Sequence, residues 1–110
     1  MPRIRLAALA GAAILAFGAI GAALAAGGGG AAVSIANFTF TAPAITVAAG
    51  TTVTWTNDDD TPHTVHAVDG AFHSQALDSA DSYSFTFTKP GVYSYFCTLH
   101  PKMVGKVIVR

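Results

Sequence analysis

From residue 35 onward the chain alternates between hydroxyl and apolar side chains. Thr51 to Thr56 reads Thr-Thr-Val-Thr-Trp-Thr, and Ser82 to Thr88 reads Ser-Tyr-Ser-Phe-Thr-Phe-Thr. A period of two is the repeat of a half-buried β-strand, whose successive side chains face opposite ways. Tyr83, Phe85 and Phe87 therefore share one face. Shorter runs of the same character are Ile35 to Phe40, Pro43 to Val47, His63 to Val68, Val92 to Cys97 and Val104 to Arg110. Between them stand turn signals: Ala49-Gly50, Asn57 to Asp60, Asp69-Gly70 and Lys89-Pro90-Gly91. No helical period appears after residue 30. Seven or eight short strands with turns about every eight to twelve residues predict an all-β Greek-key sandwich.

Composition narrows the function. A chain of 110 residues holds one small domain. Lys plus Arg equals Asp plus Glu at six each, so no charge excess points to nucleic acid. All six acids are Asp. The single cysteine excludes an internal disulfide and any zinc site built on two or more thiolates.

The N-terminus reads differently. Arg3 and Arg5 precede 21 uncharged residues, Leu6 to Ala26, of which eleven are Ala and three Gly. Ala23-Leu24-Ala25 then places small residues where a signal peptidase reads, so residues 1–26 form a secretory signal peptide. The run is also long enough to span a bilayer, which leaves a retained anchor as the alternative. Its Ala and Gly content makes it a weak one. Ile4 separates the two arginines, against a twin-arginine signal, and no Cys lies near the cut, against lipid attachment. Residues 27–34, rich in Gly and Ala, read as a flexible linker, and residues 35–110 as the domain. Beyond residue 26, Lys89, Lys102, Lys106 and Arg110 face six Asp, a net charge of −2.

The chemistry concentrates in Cys97-Thr98-Leu99-His100-Pro101-Lys102-Met103, where a strand runs out into a loop. A thiolate, an imidazole and a thioether stand at i, i+3 and i+6, with Pro101 stiffening the stretch. Soft sulfur plus imidazole with a weak thioether is the donor set of a copper electron-transfer site, which requires a second histidine. His63, after the Asp-rich loop and Pro62, supplies it. It lies 34 residues before Cys97, so the fold must bring two loops to one end of the sandwich.

With these residues in view, the chain resembles the cupredoxin family of blue (type 1) copper proteins. Within it, the chain is most similar to amicyanin and the plastocyanin-like proteins. The likeness runs over about residues 35–110 and rests on Thr52 to Asn57, Pro62 to His66, Pro90 to Cys97, the Cys97-to-Met103 stretch and Gly105 to Val109. The short spacing between Cys, His and Met is the amicyanin form. The resemblance implies one copper ion held by His63, Cys97 and His100 as trigonal ligands, with Met103 as a weak axial one. It implies that the backbone N–H of Thr64 donates to the Cys97 sulfur. Amicyanin-like chains often carry Asn where this one has Thr64, and a Thr64–Thr98 hydroxyl pair is the expected substitute.

Each candidate also has a plainer reading. Cys97 alone fits a buried structural thiol, although a lone thiol is unusual in an exported chain. Met103 alone fits a core residue. His66 is the alternative to His63, since alternation lets only one of them face the ion. His73 reads as exposed. Asp58 to Asp60 read as a solvated loop or, more sharply, as an acidic edge that steers a partner. Asn37-Phe38-Thr39 fits a glycosylation pattern but lies in a predicted strand.

Four filled coordination positions leave no open site for a substrate, so the chain reads as no enzyme. It reads as a periplasmic electron shuttle, exported by the general secretory route, cycling Cu(II)/Cu(I). Its partners would be redox proteins, a c-type cytochrome, dehydrogenase or oxidase, docking transiently on the apolar surface near His100, Leu99 and Pro101. The chain itself reads as a monomer. The competing readings are a copper carrier or buffer without redox cycling, and a cupredoxin-like module with no metal role.

Overall fold

The computed structural model describes residues 29–110, and the signal peptide read over residues 1–26 lies outside them. Eight strands form two four-stranded sheets. The first sheet has the order β2-β1-β4-β6, from Thr39–Phe40, Gly30–Ala36, Thr51–Asn57 and Ser82–Phe87. The second has the order β3-β8-β7-β5, from Ala44–Val47, His100–Val109, Gly91–Cys97 and His66–Ala67. Both sheets are mixed: β1 runs parallel to β4 and β3 parallel to β8, and the other pairings are antiparallel. The all-β sandwich expected from the alternation is the fold observed.

Strand β4 shows why. Thr51, Val53, Trp55 and Asn57 are buried, and Thr52, Thr54 and Thr56 face outward. The outward hydroxyls meet those of β6 in three successive pairs: Thr52–Thr86 at 2.7 Å, Thr54–Ser84 at 2.7 Å and Thr56–Ser82 at 2.9 Å. Cross-strand hydroxyl pairs of this kind stabilise a register by about 0.2–1 kcal/mol each. Inside, Trp55 stacks on Phe72 and meets Tyr95 edge-on, with centroids 5.7 and 5.4 Å away. Phe40 and Phe87 are fully buried beside them; each such ring contributes roughly 1.5–3 kcal/mol.

Three expectations are corrected. Residues 30–34 are not spacer but the start of β1, pairing with Thr52 to Thr56 of β4. Ala31 is half-buried, Val33 and Ile35 are buried, and small residues between them suit a strand lying close to its neighbour. The run from His63 to Val68 is mostly irregular: His63 bridges Leu77, and only His66–Ala67 is a strand. The third concerns Asn37-Phe38, which form a two-residue turn rather than strand. Ala36 pairs with Thr39, and both turn residues have positive φ, 55° and 57°, as a type I′ hairpin requires.

Tyr95 lies directly opposite Gly105 in the β7–β8 ladder. A Cβ at position 105 would fall 2.6 Å from the Tyr95 ring edge and hydroxyl. That ring is 1% exposed and wedged among aromatics, so it has nowhere to retreat. Gly105→Ala is predicted to lower stability by about 1–3 kcal/mol, the usual cost of overpacking. The midpoint of urea unfolding measures it, and an unchanged midpoint would mean that the ring yields freely.

Candidate metal centre

Cys97 is the last residue of β7 and His100 the first of β8, with Thr98-Leu99 as the turn between them. The ladder runs regularly to Phe96–Val104 and then slips, so that Cys97 pairs with His100. Pro101, Lys102 and Met103 are left without partners on β7. Met103, 6% exposed, keeps the inward phase of Gly105, Val107 and Val109, and the slip brings half-buried His100 opposite Cys97. The stretch from Cys97 to Met103 is therefore a tight hairpin with an irregular strand rather than a free loop.

His63 arrives from the other side and is fully buried. Its Nδ1 lies 3.9 Å from the Cys97 Sγ, and the His100 Nδ1 lies 3.7 Å from the same sulfur. All three atoms fall within 4.8 Å of one another. An ion at the centre of a trigonal set, with sulfur at about 2.3 Å and nitrogen at about 2.0–2.1 Å, would separate sulfur from nitrogen by roughly 3.8 Å. Ring orientation points the same way. The His63 Nε2 lies 2.7 Å from the Asp59 carboxylate, a contact that turns Nδ1 toward the sulfur. A buried cluster of soft sulfur and two imidazoles fits a copper ion.

The two ligand-bearing segments are tied through Thr64. Its N–H donates to the Cys97 Sγ at 3.3 Å. Its hydroxyl accepts from the Thr98 N–H at 2.7 Å and lies 2.8 Å from the Thr98 hydroxyl. Both contacts implied by the resemblance are present. His66 points away, half-buried on the opposite face from Val65 and Ala67, as alternation requires.

Sequence reasoning missed three residues here. Asn57, fully buried, donates to the Thr61 and Leu77 carbonyls at 2.9 and 2.8 Å and accepts from the Asp59 N–H at 2.9 Å. It shapes the loop leading into His63. The period of β4 already pointed it inward. Asp59 is no solvated loop residue: besides His63, it accepts from the Asn37 and Phe38 N–H groups at 2.6 and 2.9 Å. The Phe38 amide above all, then that of Asn37, holds its carboxyl below the usual carboxylate range. Asp58 bonds to the Ser34 hydroxyl. The i,i+4 spacing of Asp59 and His63 was the available signal. Phe38, the third, is half exposed and meets the His63 and His100 rings edge-on, with centroids at 5.3 and 4.9 Å; nothing in the local sequence placed it there.

Comparison with known proteins agrees with this geometry. Residues 29–110 match the model of copper binding proteins of the plastocyanin/azurin family. The chain belongs to that family. Amicyanin-alpha of Methylorubrum extorquens is 42% identical over 110 residues, covering 96% of this chain and 92% of the relative. Amicyanin of Paracoccus denitrificans is 43% identical, covering 71% and 63%. A solved structure of an oxidized amicyanin mutant superposes with a TM-score of 0.70 at 39% identity, covering 73% of this chain and 81% of that one. A purple cupredoxin from Nitrosopumilus maritimus gives 0.68 at 35% identity, covering 73% and 99%. Copper is the cofactor of this cupredoxin.

Two variants test how the centre is held. Thr64→Val keeps the amide bond to sulfur but loses the hydroxyl knot, and is predicted to cost about 1–3 kcal/mol in denaturant unfolding. Asp59→Ala is predicted to speed hydrogen exchange at the Asn37 and Phe38 amides about tenfold or more. Unchanged exchange there would mean that the turn holds without the carboxylate.

Proposed function

We propose that this cupredoxin is a one-electron carrier, not an enzyme, with His63, Cys97 and His100 as trigonal copper ligands and Met103 as the weak axial one. The observation that carries the reading is the convergence of one sulfur and two imidazole nitrogens within 4.8 Å, two of their residues fully buried. Burial of Met103 and the surface depression that it lines together with His100 support its role. Copper bound there supplies a Cu(II)/Cu(I) couple. The residues around it hold their positions in both states: Asp59 fixes the ring of His63, and Thr64 fixes the sulfur. Little rearrangement accompanies transfer, which favours speed.

Electrons enter and leave through His100, the least buried of the three. Around it Phe38, Leu99 and Pro101 form an apolar patch, with Phe38 and Leu99 about half exposed at 50% and 51%. Lys102 stands at its edge. A small patch of this kind suits brief encounters with redox proteins such as a c-type cytochrome, a dehydrogenase or an oxidase. The basic start and the apolar run of residues 1–26 support export to the periplasm by the general secretory route, with the domain released from its leader.

The decisive measurement is an optical and electron-spin spectrum of the copper-loaded chain before and after ascorbate. An intense visible thiolate-to-copper band that bleaches on reduction is the expected result; copper binding without that band would leave a carrier or buffer. Leu99→Asp is predicted to slow exchange with a redox protein on the order of tenfold, with the visible band intact. Unaltered kinetics in that variant would remove the docking surface.

A further inference from the structure

Four histidines occur in the chain, and two of them belong to the metal centre. The other two, His66 and His73, stand opposite each other in an isolated antiparallel bridge. The Ala67 N–H donates to the Phe72 carbonyl at 2.8 Å and the Ser74 N–H to the Val65 carbonyl at 2.7 Å. The pair is thus the non-hydrogen-bonded kind, in which opposed Cα atoms approach to about 4.5 Å and the side chains are closest. Val65 and Ala67 on either side of His66 are fully buried, so the two imidazoles share the outer face. Their centroids are 5.7 Å apart with planes inclined by 32°. Phe96, the partner of His66 on β7, rests against its ring at 5.5 Å and limits its rotation.

Two imidazoles on one ion, with bonds of about 2.0–2.1 Å, place their ring centroids roughly 4.5–6.4 Å apart, depending on the angle at the metal. We propose that His66 and His73 form a second metal site, on the surface, for a divalent ion that prefers imidazole, Cu(II) foremost. Cu(II) heads the affinity order of the divalent first-row ions for nitrogen donors. Two protein ligands leave the remaining positions to water, so this site captures and releases its ion easily and has no thiolate to colour it. It lies outside the electron-transfer centre and needs nothing from it. The chelate also closes the Ala67-to-Phe72 turn, so binding stabilises the folded form.

The test uses the full copper-loaded protein with a second equivalent of Cu(II), followed by equilibrium dialysis and electron-spin resonance. The expected result is one further ion per chain. Its signal should show the wide hyperfine splitting of a thiolate-free site with nitrogen ligation, while the visible band of the first centre stays unchanged. His66→Ala and His73→Ala should each weaken the second ion about tenfold or more, equivalent to about 1.4 kcal/mol. The first-centre band certifies that each variant is folded. Equal retention of the second ion by both variants would overturn the proposal, because the ion would then sit elsewhere, for instance on the chain's amino terminus. So would a wild-type protein that holds no second ion at a hundred micromolar free Cu(II). Either failure leaves the reading of the first centre untouched, since that is judged by its own band.

Discussion

Everything at the metal end depends on the knot that Thr64 ties. One residue spends its amide on the Cys97 sulfur and its hydroxyl on Thr98, at 3.3 and 2.7 Å, joining segments 33 and 34 residues apart in sequence. Beyond it, the backbone ties between the His63 segment and β7 lie further along, at His66–Ala67 and Val68, away from the ligand end. A hydrogen bond in a buried position contributes modestly when made and costs more when one partner is left unpaired. Each donor here is answered, so the separation of the ligands is set before any ion arrives. The knot also explains why a threonine serves after the first histidine, since its branched hydroxyl reaches both the turn amide and the turn hydroxyl.

A second constraint reaches the same site from the opposite sheet. Asn57 ends β4 inside the core and hands the chain to Asp59, which grips both His63 and the Asn37-Phe38 turn. A phenylalanine at a positive φ costs roughly 1–2 kcal/mol. Two charge-assisted amide bonds to one carboxylate are sufficient to offset that. The reward is an aromatic ring laid across both imidazoles, shielding the centre while leaving one histidine near the surface. The site is closed on the His63 side and open on the His100 side, which is what favours His100 as the proposed route for electrons.

Much of this was legible because two signals are strictly local. The alternation of Thr with Val and Trp fixes β4 and the face that it buries, and the spacing of Cys97, His100 and Met103 marks the donor-bearing hairpin. Other features were hidden because they depend on distant partners. Gly30 to Ser34 look like a spacer until β4 is known to lie beside them. The Cys97-to-Met103 stretch looks like a loop because a register slip leaves no trace in composition. His63 to Val68 alternate like a strand, yet Asn57 and the Leu77 segment hold most of that stretch in another path. Asp59 and Phe38 are ordinary loop and turn residues until the fold brings them to the same histidine.

The two parallel pairings set an order on assembly. Ala44 to Val47 lie beside Lys106 to Val109, so β3 lacks its neighbour until a strand some sixty residues later has emerged. Contacts so remote in sequence carry a heavy loop-closure cost and form late. The donor-bearing hairpin leads directly into that same late strand. On the export route proposed above, the chain would therefore stay open until that strand follows. Its copper-binding end is completed only when that last strand docks.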